Sequence, residues 1–221
     1  MMLGVLRVLQ KDLLIEWRGK ARGVAMGAYA LTLVLLFSFA VGPDTQALQQ
    51  HASGYIVLSL LTASTLTLNQ SFRIETESGA LEGLVLLPVD PRSLYYGKAL
   101  ANFLVLCVVA LIVLGAACWL FDIGIPSPRI LPVLLLTAAG IAAPGTLYAG
   151  LTARLQAQQI VMPLLLFPLL VPCLLGAAKA GSLVIGGDPM NQLPSWMALL
   201  AAFDLVYWSL CGVLFAKVID E

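Results

Sequence analysis

Six long apolar stretches run along the chain, near residues 23–42, 54–72, 99–121, 130–153, 158–178 and 195–216, with short polar gaps between them. A helix of about 20 apolar residues is long enough to cross the hydrocarbon core of a bilayer. The pattern therefore predicts an all-α membrane protein with six transmembrane helices. Ahead of the first span, residues 3–18 have a helical period. At about 100° per residue, Leu6, Leu9, Leu13 and Trp17 share one face. Arg7, Lys11 and Arg18 flank that face on one side, and Asp12 and Glu16 on the other. Residues 1–22 thus predict an amphipathic helix at the membrane interface, resting in lipid headgroups or docked on a partner.

The gap between spans two and three, residues 73–98, is punctuated differently from the others. Leu81, Leu84 and Val85 have the spacing of one apolar helical face, and Glu75 and Glu82 fall together on another. Pro88 disfavours helical geometry in Leu87, so that short helix should stop there. Asp90 is suited to cap, and Pro91 to begin, the helix that enters span three. The segment reads as a helical elbow, acidic on one face and apolar on another. Span five carries Pro163, Pro168 and Pro172, which remove backbone donors and favour a bend, as a gating helix or as a static kink. Asp204 is the acid deepest within a predicted span. It is a candidate proton or cation site, or a neutral or hydrogen-bonded carboxyl at a helix interface or near a wet crevice.

Composition agrees with the pattern: 60% of residues are hydrophobic and mean hydropathy is +0.95, far above a soluble domain. Charge then sets orientation. Of the twelve Lys and Arg residues, all but Arg129 and Lys179 lie before span one, in the gaps after spans two and four, or in the tail. Positive residues gather on the cytoplasmic side, so both termini and the elbow are expected there. The first span is full length and no small-residue cleavage site follows it, which argues against a cleaved signal peptide. The longest gap is far shorter than a nucleotide-binding domain of roughly 100 residues or more, so any ATPase must be another chain.

Candidate chemistry is sparse. Cys107, Cys118, Cys173 and Cys211 all fall in spans without a CxxC pairing and read as small packing residues. The single histidine, His51, is placed in an outer loop with no second ligand nearby. No Ser-His-Asp set, HExxH motif or carboxylate pair sits in the spans, so a non-catalytic subunit is expected. An ion-coupled transporter centred on Asp204 is an alternative, although no inverted repeat is visible.

Particular residues carry a resemblance. The run Phe72-x-x-Glu75-x-x-x-Gly79-x-Leu81-Glu82-x-Leu84, followed by Pro88, resembles the cytoplasmic elbow of ABC-2 type exporter permeases. With Val41-Gly42-Pro43, Ala143-Pro144-Gly145, Met162-Pro163, Phe167-Pro168 and Val171-Pro172, the chain looks like the permease subunit of the cytochrome c maturation ABC transporter, the haem exporter protein B family. The resemblance covers nearly all of residues 1–221, as a single ABC-2 type transmembrane domain. Asn69-Gln70 departs from it, standing where an acidic-basic pair is common.

The resemblance implies a multi-pass permease of the bacterial inner membrane that couples ATP hydrolysis by a partner to haem delivery, or to release of a haem-loaded periplasmic chaperone. It implies an ATPase subunit docked on Phe72, Glu75, Glu77, Gly79, Leu81, Glu82, Leu84 and Pro88. It also implies a haem-handling membrane subunit, a small single-span subunit, the periplasmic haem chaperone and a second copy of this chain, with lipid but no nucleic acid as further partners. ATP would sit on the ATPase and haem on partner subunits, with no cofactor on this chain. An ABC-2 exporter of another cargo, such as a drug, lipid or glycan, would share the same elbow.

Overall fold

The computed structural model describes residues 2–72, 91–124, 127–153 and 158–220. Seven helices and no strand occur among these residues: α1 (Met2–Arg18), α2 (Lys20–Val41), α3 (Thr45–Ser71), α4 (Pro91–Leu120), α5 (Ile130–Thr152), α6 (Gln158–Gly186) and α7 (Leu193–Asp220). Helices α2 to α7 are each long and apolar enough to cross a membrane. The chain is a multi-pass, all-helical membrane protein. Arg154 and the elbow residues 73–90, with Glu75, Glu77, Gly79, Leu81, Glu82, Leu84 and Pro88, lie outside the described residues.

The helices are longer than the apolar pattern indicates, because local caps carry them past the hydrophobic limit. The Asp44 carboxylate accepts a hydrogen bond from the Ala47 amide at 3.0 Å, so α3 starts at Thr45. That start moves His51 from the expected loop into the second turn of α3, where it is exposed and tilted against Tyr55. Asp188 likewise accepts from the amides of Gln192 and Leu193, both at 2.8 Å, and begins α7. Pro91 is the first residue of α4, as its fixed φ favours. α6 runs unbroken through Pro163, Pro168 and Pro172. Each ring still withdraws a donor from the helix, from the carbonyls of Gln159, Leu164 and Pro168.

The most buried spans are α5 and α3, around which the others pack. Small residues let the backbones approach, as is usual where lipid leaves no hydrophobic drive between helices. A Cβ on Gly145 would run into the Leu68 side chain, so the Ala143-Pro144-Gly145 run is the contact of α5 with α3. Side-chain donors then tie the bundle to the α5 backbone: Tyr95 Oη donates to the Ala143 carbonyl at 3.1 Å and Trp208 Nε1 to the Ala139 carbonyl at 3.2 Å.

α1 packs against the first turns of α4, and its buried face is not the one the sequence pattern suggests. The residues turned inward are Gly4, against Ser93; Val8, against Gly97; and Asp12, against Lys98. On the expected apolar face Leu6 is exposed and Leu9 and Leu13 are half-buried, and Arg7, Lys11 and Arg18 are exposed. Asp12 keeps its position on the flank of the apolar face, and it is that flank, with Gly4 and Val8, that turns into the protein. The physical reason is that Gly97 has no side chain where Val8 arrives, and Lys98, one position on, supplies an opposite charge.

Candidate functional site: a polar clasp at the ends of the elbow, and a lone acid

Lys98 is the centre of the more elaborate arrangement. Its side chain is 1% exposed. The ammonium donates to Asp12 Oδ2 at 3.2 Å and to the Ser71 carbonyl at 2.8 Å, and stands 4.7 Å from the Phe72 ring centroid. Those contacts reach α1, the last turn of α3 and the residue that closes α3. A helix leaves its final carbonyls without partners and gathers partial negative charge there, so a cation is well placed. The ring face adds a cation–π attraction.

The network continues into the bundle. Asn102, one turn beyond Lys98, donates through Nδ2 to Ser71 Oγ at 3.1 Å and to Thr146 Oγ1 at 2.9 Å. The Thr146 hydroxyl donates in turn to the Ala142 carbonyl at 2.7 Å. A continuous polar chain thus joins α1, α4, α3 and α5. Phe72 is buried beside it, its ring 6.0 Å from that of Phe215 on α7 and close to Gly150 on α5. Residue 72 is the last described residue before the elbow, and residues 91–98, expected to be part of the elbow, form the first turns of α4 instead. Both anchor points of the elbow therefore belong to one packed unit with α1.

Asp12 also pairs with the exposed Lys11 at 3.2 Å, so the Asp12–Lys98 contact is one arm of a short ionic array and not an isolated pair. Reading the sequence alone missed this pair, counting Lys98 as a loop cation and Asp12 as a surface acid. The available signal was the position of Lys98 next to Gly97 at the margin of a long apolar run, where a lysine must find a partner.

The second feature is Asp204, near the middle of α7. It is 8% exposed, and among the described residues neither carboxylate oxygen has a hydrogen-bond partner. It faces α5 and α6: a Cβ built on Gly140 would lie 2.9 Å from Asp204 Oδ1 and 2.6 Å from Cys173 Sγ. Phe203 completes the wall. The carboxyl thus lies where α7 meets α5 and α6. The remaining candidates are dispersed. Arg7, Lys11 and Arg18 lie on the outward face of α1, the three prolines lie along α6, and His51 is on α3. Among the described residues no group of three or more His, Cys, Asp or Glu could hold a metal ion.

Comparison with known proteins matches a family described as CcmB protein over residues 3–220. Haem exporter protein B of Rhodobacter capsulatus is 32% identical over 176 residues, covering 78% of this chain and 79% of that protein. Haem exporter protein B of Pseudomonas aeruginosa is 32% identical over 177 residues, covering 78% of each chain. Haem exporter protein B of Paracoccus denitrificans is 30% identical over 203 residues, covering 90% of each.

Proposed function

Because the chain belongs to the CcmB protein family, we propose that it is the permease subunit of a haem-exporting ABC transporter in the bacterial inner membrane. The observation that carries this reading is the family match across nearly the whole chain. The architecture supports it, since six spans are present and the two ends of the elbow are held in the bundle. ATP hydrolysis resides on a partner subunit. Its cycle enters this chain at the elbow, where Glu75, Glu77 and Glu82 meet basic residues of the ATPase beside Gly79, Leu81, Leu84 and Pro88. Charge-assisted contacts of that kind contribute roughly 1–3 kcal/mol each.

The subunit acts mechanically in this proposal. Haem is held by a haem-handling membrane subunit and passed to the periplasmic chaperone, with a small single-span subunit and a second copy of this chain completing the assembly. His51, the single histidine and exposed on α3, offers at most one axial ligand. The test is purification of the tagged chain in mild detergent, with identification of copurifying subunits and a haem absorbance spectrum. An ATPase should copurify, and Glu75→Lys with Glu82→Lys should abolish cytochrome c maturation while the chain stays in the membrane. Normal maturation in that double variant counts against the elbow as the coupling contact. A stoichiometric Soret band on the isolated chain, lost with His51→Ala, overturns the mechanical reading.

A further inference from the structure

Lys98 makes more contacts than an anchor for one helix requires. It reaches Asp12 on α1 and the Ser71 carbonyl at the exit of α3, from within the helix that begins where the elbow ends. Asn102 repeats the linkage one turn deeper, from Ser71 Oγ to Thr146. The α1 side of the contact is close, because Gly97 admits Val8 and Gly4 admits Ser93. Packed interfaces of this kind move as units rather than deform continuously. The outward face of α1, with Leu6, Arg7, Lys11 and Leu14, points away from the bundle.

We propose that Lys98 is a positioning residue that clasps α1 to both ends of the elbow, so that displacement of the elbow by a partner carries α1 with it. α1 is then a moving part of the transport cycle and not a passive membrane rest. The ammonium suits this role because it serves two acceptors on different helices at once. An apolar side chain of the same length would fill the space but leave the Ser71 carbonyl and Asp12 unlinked. This inference rests on the elbow being the coupling contact.

Two measurements on the assembled complex test it. In the first, Lys98→Met is compared with Asp12→Leu/Lys98→Met and Lys98→Arg. The double variant removes both charges of the Asp12–Lys98 contact, so its membrane level and partner copurification should return to those of the native protein. Mature cytochrome c formed per ATP hydrolysed should nevertheless stay down by about tenfold, within the usual range of coupling between sites. Lys98→Arg should retain coupling. Recovery of function together with level in the double variant would make the pair merely structural and overturn the proposal.

The second measurement does not depend on how that variant folds. Spin labels at Gln10 and Arg92, with the four native cysteines replaced by alanine, are read with and without trapped ATP. The Gln10–Arg92 separation should hold constant while both move relative to a label at Gln50 on the opposite face. A nucleotide-dependent change in the Gln10–Arg92 separation breaks the clasp while leaving the coupling reading intact. No movement of either label against Gln50 sinks the coupling reading, and this inference with it.

Discussion

Two buried ionisable residues, Lys98 and Asp204, show how differently a membrane bundle treats charge. Lys98 has an anion, a carbonyl and an aromatic face around it. Asp204 has a glycine, a thiol and a phenylalanine, and neither of its oxygens accepts a hydrogen bond among the described residues. In an Asp204→Asn variant the new amide has nearly the same volume as the carboxylate and loses no hydrogen bond. That substitution is therefore expected to change stability by less than about 1 kcal/mol in a thermal unfolding measurement in detergent. A larger loss would reveal a partner for the carboxylate. If transport also proved independent of ATP and collapsed in this variant, ion coupling through Asp204 would replace the permease reading. Gly140→Ala makes the complementary prediction. Its Cβ meets Cys173 Sγ and the Asp204 carboxylate well inside contact distance, and such overpacking typically costs about 1–3 kcal/mol. A variant with unchanged melting temperature would mean that α5, α6 and α7 are less closely joined there.

Elements in this protein are placed by where side chains are missing as much as by where they are present. α4 carries two informative glycines. A Cβ on Gly97 would lie 2.6 Å from Val8 Cβ, whereas nothing lies within 4 Å of one on Gly115. Gly97→Val should push α1 off the bundle, lowering stability by about 1–3 kcal/mol and opening Lys11 to proteolysis. Gly115→Ala, on the same helix, should be neutral or stabilise by up to about 1 kcal/mol through helix propensity. Equal effects of the two substitutions would contradict the packing of α1 on α4. The prolines of α6 belong to the same scale. The sequence pattern points to a bend, and the structure holds all three within one continuous helix. Within the bilayer, neighbouring helices can cover the carbonyls that proline releases.

For the whole molecule, the first question is which way it faces. The close approach of Gln49 to Asp122 and of Lys98 to Ser71 puts the start of α3 beside the end of α4, and the end of α3 beside the start of α4. Antiparallel neighbours of this kind, six spans in all, put α1, the end of α3, the start of α4 and the end of α7 on one face. The positive charges predict that this face is cytoplasmic. Cysteines placed at Gln50 and Met190, both exposed on the opposite face, should react with a membrane-impermeant reagent from outside intact cells, and one at Ser78 should not. Met190 is a better site than Gly187, whose φ of +92° a side chain would strain. Labelling at Ser78 with protection at Gln50 would invert the topology.

Span number, the start of α4 at Pro91, and the presence of a helix at α1 follow from hydropathy, proline geometry and helical repeat, all of which act over a few consecutive residues. Those features were legible in the sequence alone. So was the family resemblance, carried by the Ala143-Pro144-Gly145 and Met162-Pro163 runs and by the elbow motif. Which face of α1 is buried was not legible, because it depends on a vacancy at Gly97 and a charge at Lys98, far along the chain from Val8 and Asp12. The extension of α3 past His51 depends on one cap at Asp44, a choice that hydropathy does not register. The clasp itself joins Asp12, Ser71, Lys98, Asn102 and Thr146, and no local rule relates them. Polar partners in a membrane bundle are selected by which helices pack together, so the tertiary structure decides that Lys98 links α4 to α1 and α3 while the Asp204 carboxylate accepts no hydrogen bond among the described residues.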